Sequence, residues 1–108
     1  MPHYMVQGAY NGEAWAAIVK NPEDRTGPVK ALAESVGGRL ESFYFCFGKD
    51  DFVAIADVPD NVSAAALAIA VSSSQAFRHL RSTPLLTTKE IVEAAKKAGK
   101  ATYKAPGH

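Results

Sequence analysis

Apolar and polar positions recur along this chain in two periods, one typical of strands and one typical of helices. The runs dominated by aromatic and β-branched residues, and bounded by turn residues, predict strands at residues 3–10, 40–47, 52–58 and 77–86. The runs that are rich in alanine, or spaced at i, i+3 and i+4, predict helices at residues 13–19, 21–36, 63–71 and 87–99.

Capping residues indicate where these helices begin. Asn11 is placed to accept a hydrogen bond from the first turn of the first helix. The second helix is predicted to begin at Asn21, directly before a proline, and to kink or restart at Pro28, which has no amide hydrogen. Thr87 and Glu90 have the spacing of a capping box, so the last helix is predicted to have Thr87 as its N-cap.

The element order β-α-β-β-α-β, followed by an extra helix, predicts a fold of the α+β class. This order is that of the ferredoxin-like βαββαβ plan, with a four-stranded antiparallel sheet, its first and third strands central and its second and fourth at the edges. Pro84 supports an edge position for the fourth strand because proline cannot donate to a ladder. We expect one ferredoxin-fold domain over residues 1–99 and a basic, flexible tail over residues 100–108.

The second predicted strand is apolar on both faces, with Phe43, Phe45 and Phe47 on one and Tyr44 and Cys46 on the other. Helices can cover only one face of the sheet, and large exposed apolar patches are rare on monomers. The sequence therefore predicts a homodimer, in which the sheet of a second copy covers the sheet face that the helices leave open. The interface would bury roughly 2,000 Å² or more in total.

Composition limits the class of protein. The 108 residues are 47% apolar and 21% charged, which is ordinary for one globular domain. A net charge of +1 disfavours nucleic-acid binding, and no apolar run approaches the length of a membrane span, so we expect neither as a partner. A single cysteine and the absence of a leader-like start favour a cytoplasmic protein. Five lysines and two glutamates give residues 89–108 a charge of +3, leaving −2 for the remainder.

Two groups of side chains are candidates for proton transfer. Asp50 and Asp51 are adjacent in a hairpin, where Asp51 could serve as a proton acceptor, although an aspartate there also accepts backbone amide hydrogen bonds. His79 and Arg81 share a strand face and could bind an acidic ligand or exchange a proton, although a solvated basic face is the simpler interpretation. His79 and Asp51 are thus the catalytic candidates.

A ligand site is predicted from aromatic and polar side chains that could line one cleft. Tyr44 and Cys46 share a face and, together with Trp15 and Tyr4 or His3, could form its walls, with Arg81 as a further contact. The alternative is an aromatic core whose polar tips find backbone partners. Within the sequence we find no metal-binding histidine pair and no nucleotide-binding or nucleophile motif, so no cofactor and no metal are expected.

Several short motifs follow one another in a characteristic order, within a region of similarity that covers roughly residues 1–92. They are Met-Pro-His-Tyr at residues 1–4, Asn-Pro-Glu-Asp-Arg at 21–25, Ala-Leu-Ala-Glu at 31–34, Ser-Phe-Tyr-Phe at 42–45, Gly-Lys-Asp-Asp-Phe-Val-Ala-Ile at 48–55, and Pro-Asp at 59–60. Together they resemble the GYD domain proteins. In the Gly-x-Tyr-Asp hairpin after which the family is named, Asp50 here replaces the tyrosine, while Gly48 and Asp51 match.

The resemblance implies a dimeric α+β barrel, the superfamily that also contains cofactor-independent monooxygenases, muconolactone isomerases and chlorite-dismutase-like haem proteins. It implies no particular reaction, since a fold does not fix a function. We therefore expect a small homodimeric protein that binds or processes a small, largely apolar molecule in a cleft between sheet and helices, without a metal. The alternative is a non-catalytic dimeric protein-interaction module.

Overall fold

The computed structural model describes residues 1–107, so His108, the last residue of the predicted tail, lies outside the described residues. Its strands are β1 (His3–Tyr10), β2 (Arg39–Phe45), β3 (Phe52–Asp57) and β4 (Phe77–Leu85). Its helices are α1 (Gly12–Lys20), α2 (Thr26–Ser35), α3 (Asn61–Ser73) and α4 (Thr88–Lys100).

The four strands form one antiparallel sheet in the order β2-β3-β1-β4. This order places β1 and β3 at the centre, as the sequence predicts, and leaves β4 at an edge, where Pro84 lies opposite Tyr4. The α+β class and the ferredoxin-like topology are thereby confirmed. Strands β1 and β4 are neighbours, so β1 is paired on both sides, with β3 and with β4.

The core lies between the sheet and the helices α1, α2 and α3. Strand residues alternate between the two faces of a sheet, and on β3 the side chains of Phe52, Ala54 and Ala56 are buried toward α2 and α3. The opposite face of the sheet, which we call the open face, carries Val53 and Ile55. Helices α2 and α3 cover the face of Phe52, Ala54 and Ala56, whereas no helix of the described residues covers the open face in this way.

An aromatic cluster fills the end of the core beside α1. Tyr10, the last residue of β1, is at its centre and is only 8% exposed. Its ring lies 4.7 Å from that of Phe77 and 5.4 Å from that of Trp15, centroid to centroid. The rings of Phe45 and Phe52 also contact it, at 6.2 and 5.8 Å. The cluster therefore joins α1 to all four strands.

The predicted start of the second helix at Asn21 is wrong, because α2 begins at Thr26. The carboxylate of Asp24 accepts a hydrogen bond from the Thr26 amide at 2.9 Å, which forms a tight turn in place of helix. Pro28 consequently lies in the first turn of α2, where a missing amide hydrogen leaves no helical hydrogen bond unmade. Residues 21–25 form a loop that leads into the helix.

The prediction that Phe47 shares a strand face with Phe43 and Phe45 is also wrong. Strand β2 ends at Phe45, and Phe47 is 99% exposed in the turn that follows. Gly48, with φ of 154°, continues this turn in a backbone conformation that L side chains rarely adopt. The rings of Phe43 and Phe45 lie 5.1 Å apart on the helix-facing side of the sheet, where Phe43 is half-buried and Phe45 is 46% exposed.

Helix α4 extends away from the rest of the molecule. The capping box of Thr87 and Glu90 is confirmed, with both reciprocal hydrogen bonds formed. Every residue of α4 is exposed, although Ile91 and Val92 are apolar. The Cα radius of gyration is 17.5 Å, whereas a compact domain of this length has about 13 Å. The helix is thus formed locally and lies outside the core.

We predict that Gly38→Ala strongly destabilises the protein. A Cβ atom at Gly38 would lie 2.5 Å from the carbonyl oxygen of Asp57 and 3.2 Å from that of Ala33, so α2 and β3 would have to separate. Overpacking of this kind costs about 1–3 kcal/mol in the free energy of unfolding, which urea titration measures.

Gly27→Ala is the matched control for this substitution. Gly27 lies in the first turn of α2 with open space at its Cβ position, so alanine there should be neutral or slightly stabilising. Equal urea midpoints for the two variants would contradict the close approach at Gly38.

Candidate functional site

An apolar cavity lies between the sheet and helices α2 and α3. Its volume is about 80 Å³, and it is partly open toward solvent. Its lining comes from the helix-facing side of the sheet, from α2 and from α3, and consists of Val6, Tyr10, Val29, Leu32, Ala33, Leu40, Phe43, Phe52, Ala54, Ala56, Leu67, Val71 and Phe77. The phenol of Tyr10 is the single side-chain polar group in this lining, so the interior of the cavity favours apolar groups.

Small side chains in the middle of the layer create this space. Ala54 and Ala56 on β3 face Ala33 on α2, and between them no large side chain fills the volume beneath the helix. Protein interiors are ordinarily close-packed, and unfilled apolar volume costs roughly 24 cal/mol per Å³. The side chains around this partly open cavity therefore lack packing contacts that a filled core would give them.

Tyr10 and Arg25 form the mouth of the cavity. Two surface grooves adjoin it there, one of about 280 Å³ bordered by α2 and the end of α3, and one of about 350 Å³ bordered by α1. Both residues line both grooves, and Tyr10 lines the cavity as well. Arg25 reaches this position because it ends the loop before α2.

The polar groups at the mouth influence one another. Burial raises the pKa of the Tyr10 phenol, the nearby Arg25 guanidinium opposes that rise by stabilising the phenolate, and Asp51 adds to it. The phenol is consequently protonated near neutral pH and available as a hydrogen-bond donor. Arg25 also pairs with Glu23 in the same loop, at 2.9 Å, and both of these side chains are substantially exposed.

Asp51, a predicted catalytic residue, forms hydrogen bonds that connect the elements around the mouth. One of its carboxylate oxygens accepts the Tyr10 amide at 2.9 Å and the indole N–H of Trp15 at 3.1 Å. Its own amide donates to the carbonyl of Gly8 at 2.7 Å. Asp51 thus ties the β2–β3 turn to β1 and α1, the backbone-accepting role that the sequence left open for it. Trp15, a predicted ligand contact, is part of the same arrangement.

His79 and Arg81 meet Asp50 on the open face. The imidazole Nε2 of His79 lies 2.9 Å from one Asp50 carboxylate oxygen, and the Arg81 guanidinium lies 2.8 Å from the other. The hydrogen bond from His79 and, to a smaller extent, that from Arg81 lower the pKa of Asp50. The aspartate that replaces the tyrosine of the GYD hairpin therefore links that turn to β4, two strands away in the sheet.

The other predicted ligand residues do not meet in one cleft. Tyr44 alternates with the core phenylalanines, so it lies on the open face and is 69% exposed. The thiol of Cys46 donates to the Asp50 carbonyl at 3.2 Å. Tyr4 lies on the helix side, where its phenol donates to Asn61 at the start of α3. The sheet thus separates Tyr44 from Tyr4 and Trp15.

A second polar cluster on the open face surrounds Asp57, which is 3% exposed. Its carboxylate bonds the imidazole of His3 and, at 2.7 Å, the guanidinium of Arg39, and Glu41 lies 3.6 Å from the same imidazole. The Arg39 hydrogen bond is the main cause that lowers the pKa of Asp57, with His3 adding to it. His3, Glu41 and Asp57 lie close enough to share a cation, but Arg39 already supplies positive charge there.

Sequence reasoning missed Tyr10, Arg25 and Asp57. Tyr10 was read as an ordinary strand residue, and Arg25 as part of a helix. The available signal was the Asn-Pro-Glu-Asp-Arg motif at residues 21–25, whose charged residues precede an apolar helix face. Nothing local in the sequence indicates that this motif lies across the end of β1, since the contact joins residues fifteen positions apart.

The antiparallel sheet of order β2-β3-β1-β4, with helices α1–α3 on one face and an apolar cavity beneath them, defines a ferredoxin-like α+β protein. The family model for the GYD domain matches residues 4–95, and the chain belongs to the GYD domain family. A comparison with curated proteins found no match. Among the described residues, every helix is too short or too polar to cross a membrane.

We predict that Asp57 contributes to stability above the ordinary pKa of an aspartate in the unfolded chain, and that this contribution disappears as pH falls through its lowered folded-state pKa. The free energy of unfolding of the wild type should therefore drop on acidification below about pH 4. Asp57→Asn, which cannot titrate, should drop less, as measured by urea unfolding between about pH 5 and pH 2.

Glu93→Gln is the control for this experiment, because Glu93 is exposed on α4 and makes no ion pair among the described residues. This variant should follow the wild-type pH dependence. An identical acid-induced loss in Asp57→Asn and the wild type would show that the ion pairs of Asp57 do not contribute.

Proposed function

We propose that this protein binds a small, largely apolar molecule between its sheet and helices α2 and α3, without a metal. The apolar cavity is the observation that carries the proposal. Apolar surface that the chain itself leaves unfilled is readily explained if a ligand packs against it on binding. Ligand sites are also ordinarily concave and mostly apolar, with few polar groups.

The size of the cavity indicates how the ligand would sit. Pockets for small molecules usually measure about 300–1,000 Å³, so the interior cavity alone would take only one end of such a molecule. The adjoining groove at Tyr10, of about 280 Å³, offers space for the rest. The proposed ligand therefore has an apolar end beneath α2 and a second end at the mouth.

We predict that Ala54→Leu weakens the binding of 1-octanol, a neutral apolar probe. Ala54 is buried on β3 and lines the cavity, so three further carbon atoms there would occupy the space that the probe needs. Heteronuclear NMR titration would measure the affinity, and methyl shifts of Val6, Leu32 and Leu67 would locate the probe. We expect the affinity to fall about tenfold or more, equivalent to roughly 1.4 kcal/mol.

Ala65→Leu provides the matched control, since it makes the same chemical change on the exposed side of α3. This variant should bind 1-octanol as the wild type does. Failure of the wild type to bind, or shifts confined to the outer surface, would overturn the proposal and favour the interaction-module alternative.

We infer further that the protein is a homodimer in which a second copy covers the open face. This face carries the half-buried apolar side chains of Met5, Val53 and Ile55 at the middle of the sheet. Helix α4 supports the inference because its apolar residues lack a partner among the described residues, and because residues 89–108 carry +3 while the remainder carries −2. Opposite charges favour contact between this segment of one copy and the body of another.

We predict that Ile55→Glu dissociates the dimer. A carboxylate at the centre of the open face would be desolvated without a partner in the proposed interface, at a cost of several kcal/mol. Sedimentation equilibrium at micromolar concentration would measure the subunit count, and circular dichroism would verify the fold.

The control for the dimer experiment is Val62→Glu, because Val62 is 78% exposed on α3, on the far side of the molecule from the open face. It should remain dimeric. A wild-type protein that sediments as a monomer would refute the homodimer.

A further inference from the structure

We propose that the ligand is an apolar carboxylate, whose carboxylate group binds Arg25 and Tyr10 at the mouth while its hydrocarbon part enters the cavity. This inference rests on the proposed function, which assigns an apolar ligand to the cavity but no charged group to its second end. It adds the chemical class of the molecule and two residues that recognise it.

Arg25 supplies the positive charge. It is the single basic side chain in the lining of the two grooves at the mouth, among the residues that the structure describes. Its guanidinium presents a planar set of donors that matches the two oxygens of a carboxylate. The remainder of the groove at the end of α3 is largely apolar, with Pro28, Val29 and Leu32 among its members. The site is thus a cation at the edge of an apolar surface.

The ion pair between Glu23 and Arg25 does not prevent a ligand from binding Arg25. Their ion pair is 2.9 Å long, but the two side chains are 37% and 52% exposed. Exposed pairs of this kind contribute little stability, because water solvates both charges well and screens their attraction. A ligand carboxylate that also buries its hydrocarbon part in the cavity can replace Glu23 at little cost. Glu23 would then turn toward solvent from its exposed loop.

Tyr10 supplies a fixed hydrogen-bond donor. Its side chain is more than nine-tenths buried, and contacts with the rings of Trp15 and Phe77 hold its ring in place. Tyr10 and Arg25 line the same two grooves, and burial raises the pKa of the phenol, which keeps it protonated. A carboxylate beside Arg25 would therefore find an O–H donor already oriented. Such preorganisation lowers the entropic cost of binding.

The geometry also discriminates between ligand classes. A neutral ligand with the same hydrocarbon part gains the cavity but not the ion pair, so it binds less tightly. A cationic ligand meets Arg25 and is repelled. The proposed ligands are therefore hydrocarbon molecules that carry an acidic group at one end.

The test compares octanoate with 1-octanol, which have eight carbons each and differ in the charged group. Calorimetric or NMR titration at low salt should show wild-type protein binding octanoate about tenfold more tightly, the effect of one charge-assisted contact. In Arg25→Gln the preference for octanoate over 1-octanol should disappear. Tyr10→Phe should reduce octanoate affinity a few-fold while retaining the ring in the core.

Lys30→Gln is the matched control, because Lys30 is an exposed cation of α2 that lines neither groove. This variant should keep the wild-type preference for octanoate. Equal binding of the two probes by wild-type protein, or a preference that survives in Arg25→Gln, would overturn the carboxylate assignment while leaving the cavity proposal intact. Binding of neither probe would overturn both.

Discussion

The packing of the Tyr10 ring is the interaction on which the rest of the structure depends. This ring contacts four other aromatic rings, contributed by α1 and by three strands, and Asp51 holds its backbone amide. Because β1 is one of the two central strands and pairs with both β3 and β4, the position of its last residue sets where α1 leaves the sheet. The cavity mouth lies at the same point, so one residue contributes both to the core and to the opening of the cavity.

This arrangement explains how a domain of 108 residues tolerates unfilled space. The aromatic cluster lies at the end of the sheet nearest α1, and its Tyr10, Phe52 and Phe77 rings form one wall of the cavity. Small alanine side chains line the region beneath α2 and leave space there. A ligand that enters beneath Ala33 meets a rigid aromatic wall on one side and a helix on the other.

The fold could be predicted from the sequence because its determinants are local, whereas the site could not. Alternation along β2 correctly separates Tyr44 from Phe43 and Phe45, but a period of two does not say which face meets the helices. The predicted cleft therefore combined Tyr44 with Trp15, which lie on opposite sides of the sheet. The contact between His3 and Asp57 spans 54 positions, and nothing in either segment alone indicates it.

The loop at residues 21–25 shows how a wrongly predicted helix start hides the position of Arg25 at the cavity mouth. Proline after asparagine, followed by two acidic residues, is typical of a helix start, and the same residues suit a turn in which Asp24 caps the Thr26 amide. The turn prevails here, and it delays the helix by five residues. Arg25 becomes the residue before the helix instead of a member of its first turn, and it lines the same two grooves as Tyr10. The charge at the cavity mouth is therefore a consequence of where α2 begins.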